Sequence, residues 1–155
     1  MTILSMMRIK VALCLIIVMA VGCPSWAVNG TPESKWAFVG FTRYRDALFI
    51  DMNRITHDMD QRTRVWSRMT PAKHSKYYRQ IQRDLRKVDK PAMEFRYMET
   101  LNEISCRDRR IRFEKVLYYR QDGEVIHATR DDNAQWKTIT PGSLWESLGA
   151  IVCDK

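Results

Sequence analysis

Four cysteines are the residues of this 155-residue chain whose chemistry is easiest to predict. Cys14 and Cys23 lie in an N-terminal stretch with the features of an export signal, whereas Cys106 and Cys153 lie in the body of the chain. Export would remove Cys14 and would leave Cys23 either removed or modified, so one pair of ordinary thiols remains. Such a pair forms a disulfide in an oxidising compartment. We therefore predict a Cys106–Cys153 disulfide, with two buried free thiols as the alternative.

Residues 1–27 have the pattern of a secretory signal. Arg8 and Lys10 precede an apolar run from Val11 to Val21, and small residues on both sides of Trp26 favour cleavage after Ala27. The run has 11 residues, which is too short for a helix that spans a bilayer, since that needs about 20.

A lipoprotein signal is the second reading, because Ala20-Val21-Gly22-Cys23 resembles the sequence in which the cysteine becomes the lipidated first residue. An uncleaved membrane anchor is the third reading. Both forms of the signal place the protein outside the cytoplasm. Residues 28–34 then form a flexible leader, and residues 35–155 form a single domain.

Residues that would indicate catalysis or metal binding are sparse. His57, His74 and His127 stand alone, and no pair has the spacing of metal ligands. The chain has no glycine-rich phosphate loop and no Gly-x-Ser-x-Gly motif, and Pro141-Gly142-Ser143 is better explained as the entry to a helix. The sequence therefore predicts no catalytic residue, no metal site and no cofactor, and a protein that is not an enzyme.

The positive charge of the chain is concentrated in one stretch. Without residues 1–27 the chain carries 24 lysines and arginines against 18 acids, a net charge of +6. The stretch from Lys73 to Lys90 contains seven cations and two acids, which accounts for +5 of that surplus. Its apolar residues recur at helical spacing, and Ser75 and Pro91 are suited to begin and end a helix. On the opposite side of this helix lie six cations: Lys76, Arg79, Arg83, Arg86, Lys87 and Lys90.

A cationic helix face predicts an anionic partner. The candidates are an anionic glycan, a lipid headgroup or an acidic extracellular protein, while export argues against nucleic acid. Membrane association would require lipid on Cys23 or contact through this helix, and a homodimer is left open. One alternative is a solvated face that contributes only solubility. Another is a structural envelope component or a small protein inhibitor, whose shape-fitted contacts would be less sensitive to salt.

Most of the remaining chain has the period of β-strands. Trp36–Phe41 is apolar on both parities, which predicts a strand covered on both faces. Ala47–Ile50 predicts a strand that ends at Asp51, whose carboxylate is expected to bond within a turn beside Asn53. Arg62–Thr70 alternates between two faces, with Thr63, Val65, Ser67 and Met69 on one and Arg62, Arg64, Trp66 and Arg68 on the other.

The second half of the chain adds further strands. Met93–Cys106 contains many polar residues and predicts a half-exposed or edge strand. The segment from Arg110 to Arg120 alternates with an apolar parity, and Asp122-Gly123 is typical of a hairpin leading into the next strand. A further short strand is expected at Trp136–Ile139. The apolar parity after Arg110 contains Ile111, Phe113, Leu117 and Tyr119.

The last 15 residues predict a helix. Ser143 and Glu146 have the spacing of a capping box, and an apolar stripe follows at helical spacing. The fold class is therefore α+β, an antiparallel sheet of about six strands with one inserted basic amphipathic helix. The C-terminal helix would cover one face of that sheet, and Cys153 would tie it there. Trp66 is expected to pack under a helix.

The sequence resembles the surface-adhesin protein E family of exported bacterial proteins. The resemblance extends from Trp36 to Cys153, and its most specific parts are the Cys106 region and a tail containing Trp136 and Pro141-Gly142-Ser143. It implies an antiparallel sheet whose C-terminal helix is held by a disulfide, and adhesion to host extracellular-matrix and serum proteins such as vitronectin and laminin. It also implies a location in the periplasm or at the outer-membrane surface of a bacterium. The basic helix is longer than the connection expected in the family's type member, and it matches no binding motif residue by residue.

Overall fold

The computed structural model describes residues 34–88 and 90–153, apart from the side chain of Met93. The predicted signal of residues 1–27, including Cys23, and the leader up to residue 33 lie outside the described residues.

The described chain forms one antiparallel sheet and two helices, which confirms the α+β class. Six strands pair in chain order, and a seventh, β7, pairs with β5 instead. The strands are β1 (Trp36–Phe41), β2 (Ala47–His57), β3 (Arg62–Thr70), β4 (Tyr97–Ser105), β5 (Arg110–Tyr119), β6 (Val125–Arg130) and β7 (Lys137–Thr138). The helices are α1 (Lys76–Lys87) and α2 (Leu144–Cys153), and a 3-10 turn covers Ala92–Glu94.

Both helices pack on the same face of the sheet, which we call the helix face. Val65 and Ile104 are buried there with the apolar residues of neighbouring strands, and Leu148 and Val152 of α2 are fully buried against them. Cys106 follows β4 and forms a disulfide with Cys153, with 5.6 Å between the two Cα atoms. The predicted disulfide and the tethered C-terminal helix are therefore confirmed.

The start of α2 depends on a cap and on a close approach to β1. The amide of Glu146 donates to Ser143 Oγ at 3.3 Å, whereas the Glu146 carboxylate accepts from the amide of Gly142 at 2.7 Å. The second hydrogen bond of the predicted capping box is therefore donated by the amide of Gly142 instead of the amide of Ser143. A Cβ at Gly40 would lie 2.7 Å from Leu144 Cδ2, so the absence of a side chain lets α2 lie close to β1.

The basic helix α1 begins as predicted, because Ser75 Oγ accepts from the amide of Tyr78 at 2.9 Å. Its apolar side buries Ile81 and Leu85 against Phe95, which follows the 3-10 turn. Val88 lies one residue beyond the helix and is 47% exposed, so its side chain is not buried with Ile81 and Leu85.

Four expectations about the strands are wrong, and two of them concern β1 and β2. β1 is an edge strand, and Phe38 and Phe41 are 51% and 63% exposed instead of covered. β2 does not end at Asp51 but continues to His57 after a register shift between Ile50 and Ile55. At this irregularity the carboxylate of Asp51 accepts hydrogen bonds from the amides of Lys35 and Asn53, at 3.1 and 3.0 Å.

The polar strand β4 is central instead of half-exposed or at an edge, because it pairs with β3 on one side and β5 on the other. The alternation of apolar residues expected for β5 is also interrupted. Glu114 is an extra residue, because its neighbours Phe113 and Lys115 pair with consecutive residues of β4. This β-bulge moves every later side chain of the strand to the opposite face, so Tyr119 does not share a face with Phe113.

Candidate functional site

The basic face of α1 is the first candidate surface. Its six cations, predicted from the sequence, are all exposed, while the apolar side of the same helix is buried. Anchoring through Ile81 and Leu85 fixes the direction in which the cations project, because residues on opposite sides of a helix cannot exchange positions. Lys76, Arg79, Arg83, Arg86 and Lys87 thus share one exposed side of α1, whereas Lys90 is exposed but lies three residues beyond the end of the helix.

Few acids of the described residues neutralise this surface. Asp84 accepts from Lys87 Nζ at 2.8 Å and from Gln80 Nε2 at 2.9 Å, and these hydrogen bonds lower the pKa of the Asp84 carboxyl. Arg83 donates to the neutral side chain of Gln80 and makes no salt bridge among the described residues, although its charge also helps to lower the pKa of Asp84. Exposed pairs such as Asp84–Lys87 contribute little energy, which leaves the cations available to an external anion.

The opposite, open face of the sheet carries a second candidate surface. No helix of residues 34–88 or 90–153 packs on it. Arg54 lies 5.0 Å from the ring of Trp66 and 5.5 Å from the ring of Trp36, and Arg68 lies 4.1 Å from Trp36 on its other side. Arg68 is also 4.5 Å from the ring of Tyr97, so guanidinium groups and aromatic rings alternate across four strands. We call this series, which ends with Tyr119 stacked on Tyr97 at 4.7 Å, the arginine–aromatic ladder.

A buried carboxylate holds the ladder in place. Glu99 is 5% exposed and accepts from Arg68 Nη2 at 2.7 Å, with Arg54 Nη2 at 3.6 Å. The hydroxyl of Tyr119 donates to the same carboxylate at 3.3 Å. Burial, together with the negative charge of Glu99, raises the pKa of Tyr119 to about 12. The hydroxyl therefore stays protonated as a donor at neutral pH.

The ladder corrects one expectation and extends another. Trp66 does not pack under a helix, because both helices lie on the other face and its ring is stacked on Arg54. The alternation of β3 in the sequence correctly placed Trp66 and Arg68 on one face, but nothing in the sequence pointed to Arg54, which reaches that face through the irregularity in β2.

The histidines are placed apart from one another. His57 Nδ1 lies 3.0 Å from Thr63 Oγ1, His127 stacks on Tyr118 with ring centroids 5.9 Å apart, and His74 occupies an exposed turn with a φ of 71°. Among the described residues, no group of three or more histidine, cysteine and acidic side chains is arranged to hold a metal ion. Within the same ranges, neither helix has the length and hydropathy required to cross a bilayer.

Comparison with known proteins gives a family and a fold. The model of the family described as surface-adhesin protein E matches residues 36–154. Among solved structures, crystal form II of Haemophilus influenzae protein E is similar, with a TM-score of 0.52 and 12% sequence identity. The match covers 76% of this chain and 87% of that chain. No curated protein sequence matches the chain. Since the family model covers nearly all of the described residues, the chain belongs to the surface-adhesin protein E family.

Proposed function

We propose that the protein is an exported, non-enzymatic binding module of the bacterial envelope that contacts an anionic surface through the basic face of α1. The observation that carries the proposal is the set of exposed cations, five on a helix whose other side is anchored in the protein and one, Lys90, just after its end. Membership of a surface-adhesin family supports export and binding as the general role.

The chemistry of the face favours an extended anion over a small one. Five of the six cations project from successive turns of the 12-residue helix, which is about 18 Å long at 1.5 Å per residue, and Lys90 follows three residues after its end. A sulfated glycan chain or a layer of lipid headgroups presents repeated negative charge over such a length, whereas a single carboxylate meets one or two cations. We therefore propose a polyanionic partner at the outer-membrane surface or in the periplasm.

Neutralising part of the basic face distinguishes binding through that face from binding that depends only on the total charge of the protein. In one variant Arg79, Arg83 and Arg86 are replaced by Gln, which preserves helix propensity. In the matched control, three exposed arginines outside the helix are replaced by Gln, so that both variants lose the same charge: Arg62, Arg107 and Arg110. We expect the helix variant to elute from immobilised heparin, and to leave phosphatidylglycerol vesicles, at much lower salt than the control.

Two outcomes would contradict the proposal. Equal elution of the two variants would show that total charge, and not the helix face, determines binding. Binding that barely changes with salt would favour the other class of function, a structural component or protein inhibitor with a shape-fitted interface.

A further inference from the structure

A groove lies where the β1–β2 turn meets the first turns of α1 and α2. Its volume is about 570 Å³, which is within the usual size of a small-molecule site, about 300–1,000 Å³. Its lining includes Met69 of β3, Tyr77 of α1 and Trp145 of α2. Three separate elements thus enclose one space, and its shape depends on both helices being docked.

The walls of the groove are apolar. Met69 is 8% exposed, and Trp145 is supported from behind by an edge contact to Phe113 with ring centroids 5.2 Å apart. The hydroxyl of Tyr77 is already used, because it donates to Met98 Sδ at 3.3 Å. Burial, with Tyr118 and Asp46 nearby, raises the pKa of Tyr77, so this wall stays uncharged at neutral pH.

The charges at the groove are unequal. Arg43 and Lys76 line it with exposed side chains, and Arg43 contacts only the ring of Tyr44, at 4.8 Å, among the described residues. Asp46 is the one acid among the described lining residues, and it is buried. Its two carboxylate oxygens accept from Thr42 Oγ1 and from the amide of Ala72, both at 2.9 Å. The carboxylate of Asp46 is therefore already hydrogen-bonded within the protein, whereas Arg43 and Lys76 have no such bond among the described residues.

The first turn of α1 adds to this polarity. Lys76 and Tyr77 are the first residues of the helix, where the aligned peptide dipoles give a partial positive charge. An apolar trough with two cations and a helix N-terminus at one side fits a molecule with an apolar body and an anionic end. We propose that the groove binds a free fatty acid, with the acyl chain along Met69, Tyr77 and Trp145 and the carboxylate at Arg43 and Lys76.

Titration with dodecanoate tests this site in the chain from residue 28 onward. Binding is followed by tryptophan emission, to which Trp145 contributes together with Trp36, Trp66 and Trp136. Calorimetry provides a measurement that does not depend on any of these residues. We expect saturable binding of one dodecanoate per chain. Replacing both Arg43 and Lys76 by Gln should lower the affinity at least tenfold, because the variant loses the hydrogen bonds between charged groups at the carboxylate. Dodecanol, which lacks the charge, and acetate, which lacks the chain, are each expected to bind at least tenfold more weakly.

The controls separate this site from the basic face. Lys76 belongs to both, so the variant with Arg79, Arg83 and Arg86 replaced by Gln is titrated in parallel, and it should bind dodecanoate as the unchanged protein does. The proposal is overturned if dodecanoate fails to saturate, if the variant at Arg43 and Lys76 binds it equally well, or if dodecanol binds equally well. None of these results depends on whether α1 binds heparin.

Discussion

Removal of the Cys106–Cys153 disulfide should lower stability by a large fraction of the total. The two residues are 47 apart in sequence, and their link fixes the end of α2 to the end of β4. In the chain-entropy model, closing a loop of this length in the unfolded state is worth about 4 kcal/mol. A domain of this size has a total stability of about 5–15 kcal/mol.

The corresponding change in melting temperature can be worked out from the size of the domain. An unfolding entropy of about 2.1 cal/mol/K per residue gives roughly 0.25 kcal/mol/K for residues 35–155, so 4 kcal/mol corresponds to roughly 15 °C. The variant replaces both Cys106 and Cys153 by Ser, because a single replacement would leave a reactive thiol. The measurement is thermal unfolding by circular dichroism of the chain from residue 28 onward, where these are the only cysteines.

The same experiment contains its own control. Reductant should lower the melting temperature of the unchanged protein and leave that of the double variant where it is. A decrease of less than about 5 °C on removing both cysteines would refute the reasoning. It would mean that Leu148 and Val152, both fully buried, hold α2 on the sheet without the covalent link.

Two further predictions concern the open face. Glu99→Gln should destabilise the protein by about 2 kcal/mol in urea unfolding, because the Glu99 carboxylate compensates Arg68 and Arg54 at a buried position, whereas Glu124→Gln at an exposed pair should change stability by under about 0.5 kcal/mol. Equal effects would contradict a special role for Glu99. Burial alone would raise the pKa of Asp51, but hydrogen bonds from Arg54 and from backbone amides hold it below its usual value. Its contribution to stability is therefore full above about pH 4 and is lost as the pH falls through the folded pKa, so Asp51→Asn should weaken the acid dependence of unfolding, and an unchanged pH profile would contradict this.

The elements with local signals were predicted correctly from the sequence. The cap at Ser75, the hairpin at Asp122-Gly123 and the apolar stripe of α2 each depend on residues a few positions apart. The disulfide was predicted from the expected compartment, because processing of the predicted signal would leave only two ordinary thiols. These features are predictable because the residues that determine them are close in sequence or few in number.

The sheet registers were not predictable in the same way. One extra residue at Glu114 reverses the parity of β5, and the irregularity after Ile50 extends β2 to His57. The bulge at Glu114 has no glycine or turn motif that would reveal it, and the turn expected at Asp51 and Asn53 suggested the end of β2 instead of an irregularity within it. Polar residues in β4 suggested an edge strand, yet Glu99 is buried because its partners come from strands distant in sequence.

The position of both helices on one face accounts for the composition of the other. A central strand that is open on one side must present a surface compatible with water, while its interior side stays apolar. The arginine–aromatic ladder meets this requirement, since the guanidinium groups cover the rings of Trp36 and Trp66. Asp51 pairs with Arg54 and Glu99 pairs with Arg68, so both guanidinium groups are neutralised. The open face is therefore nearly compensated internally, whereas the basic face of α1 is not. Because an external anion gains most where cations lack partners, the uncompensated charge directs binding to α1, although the ladder has the greater number of interacting side chains.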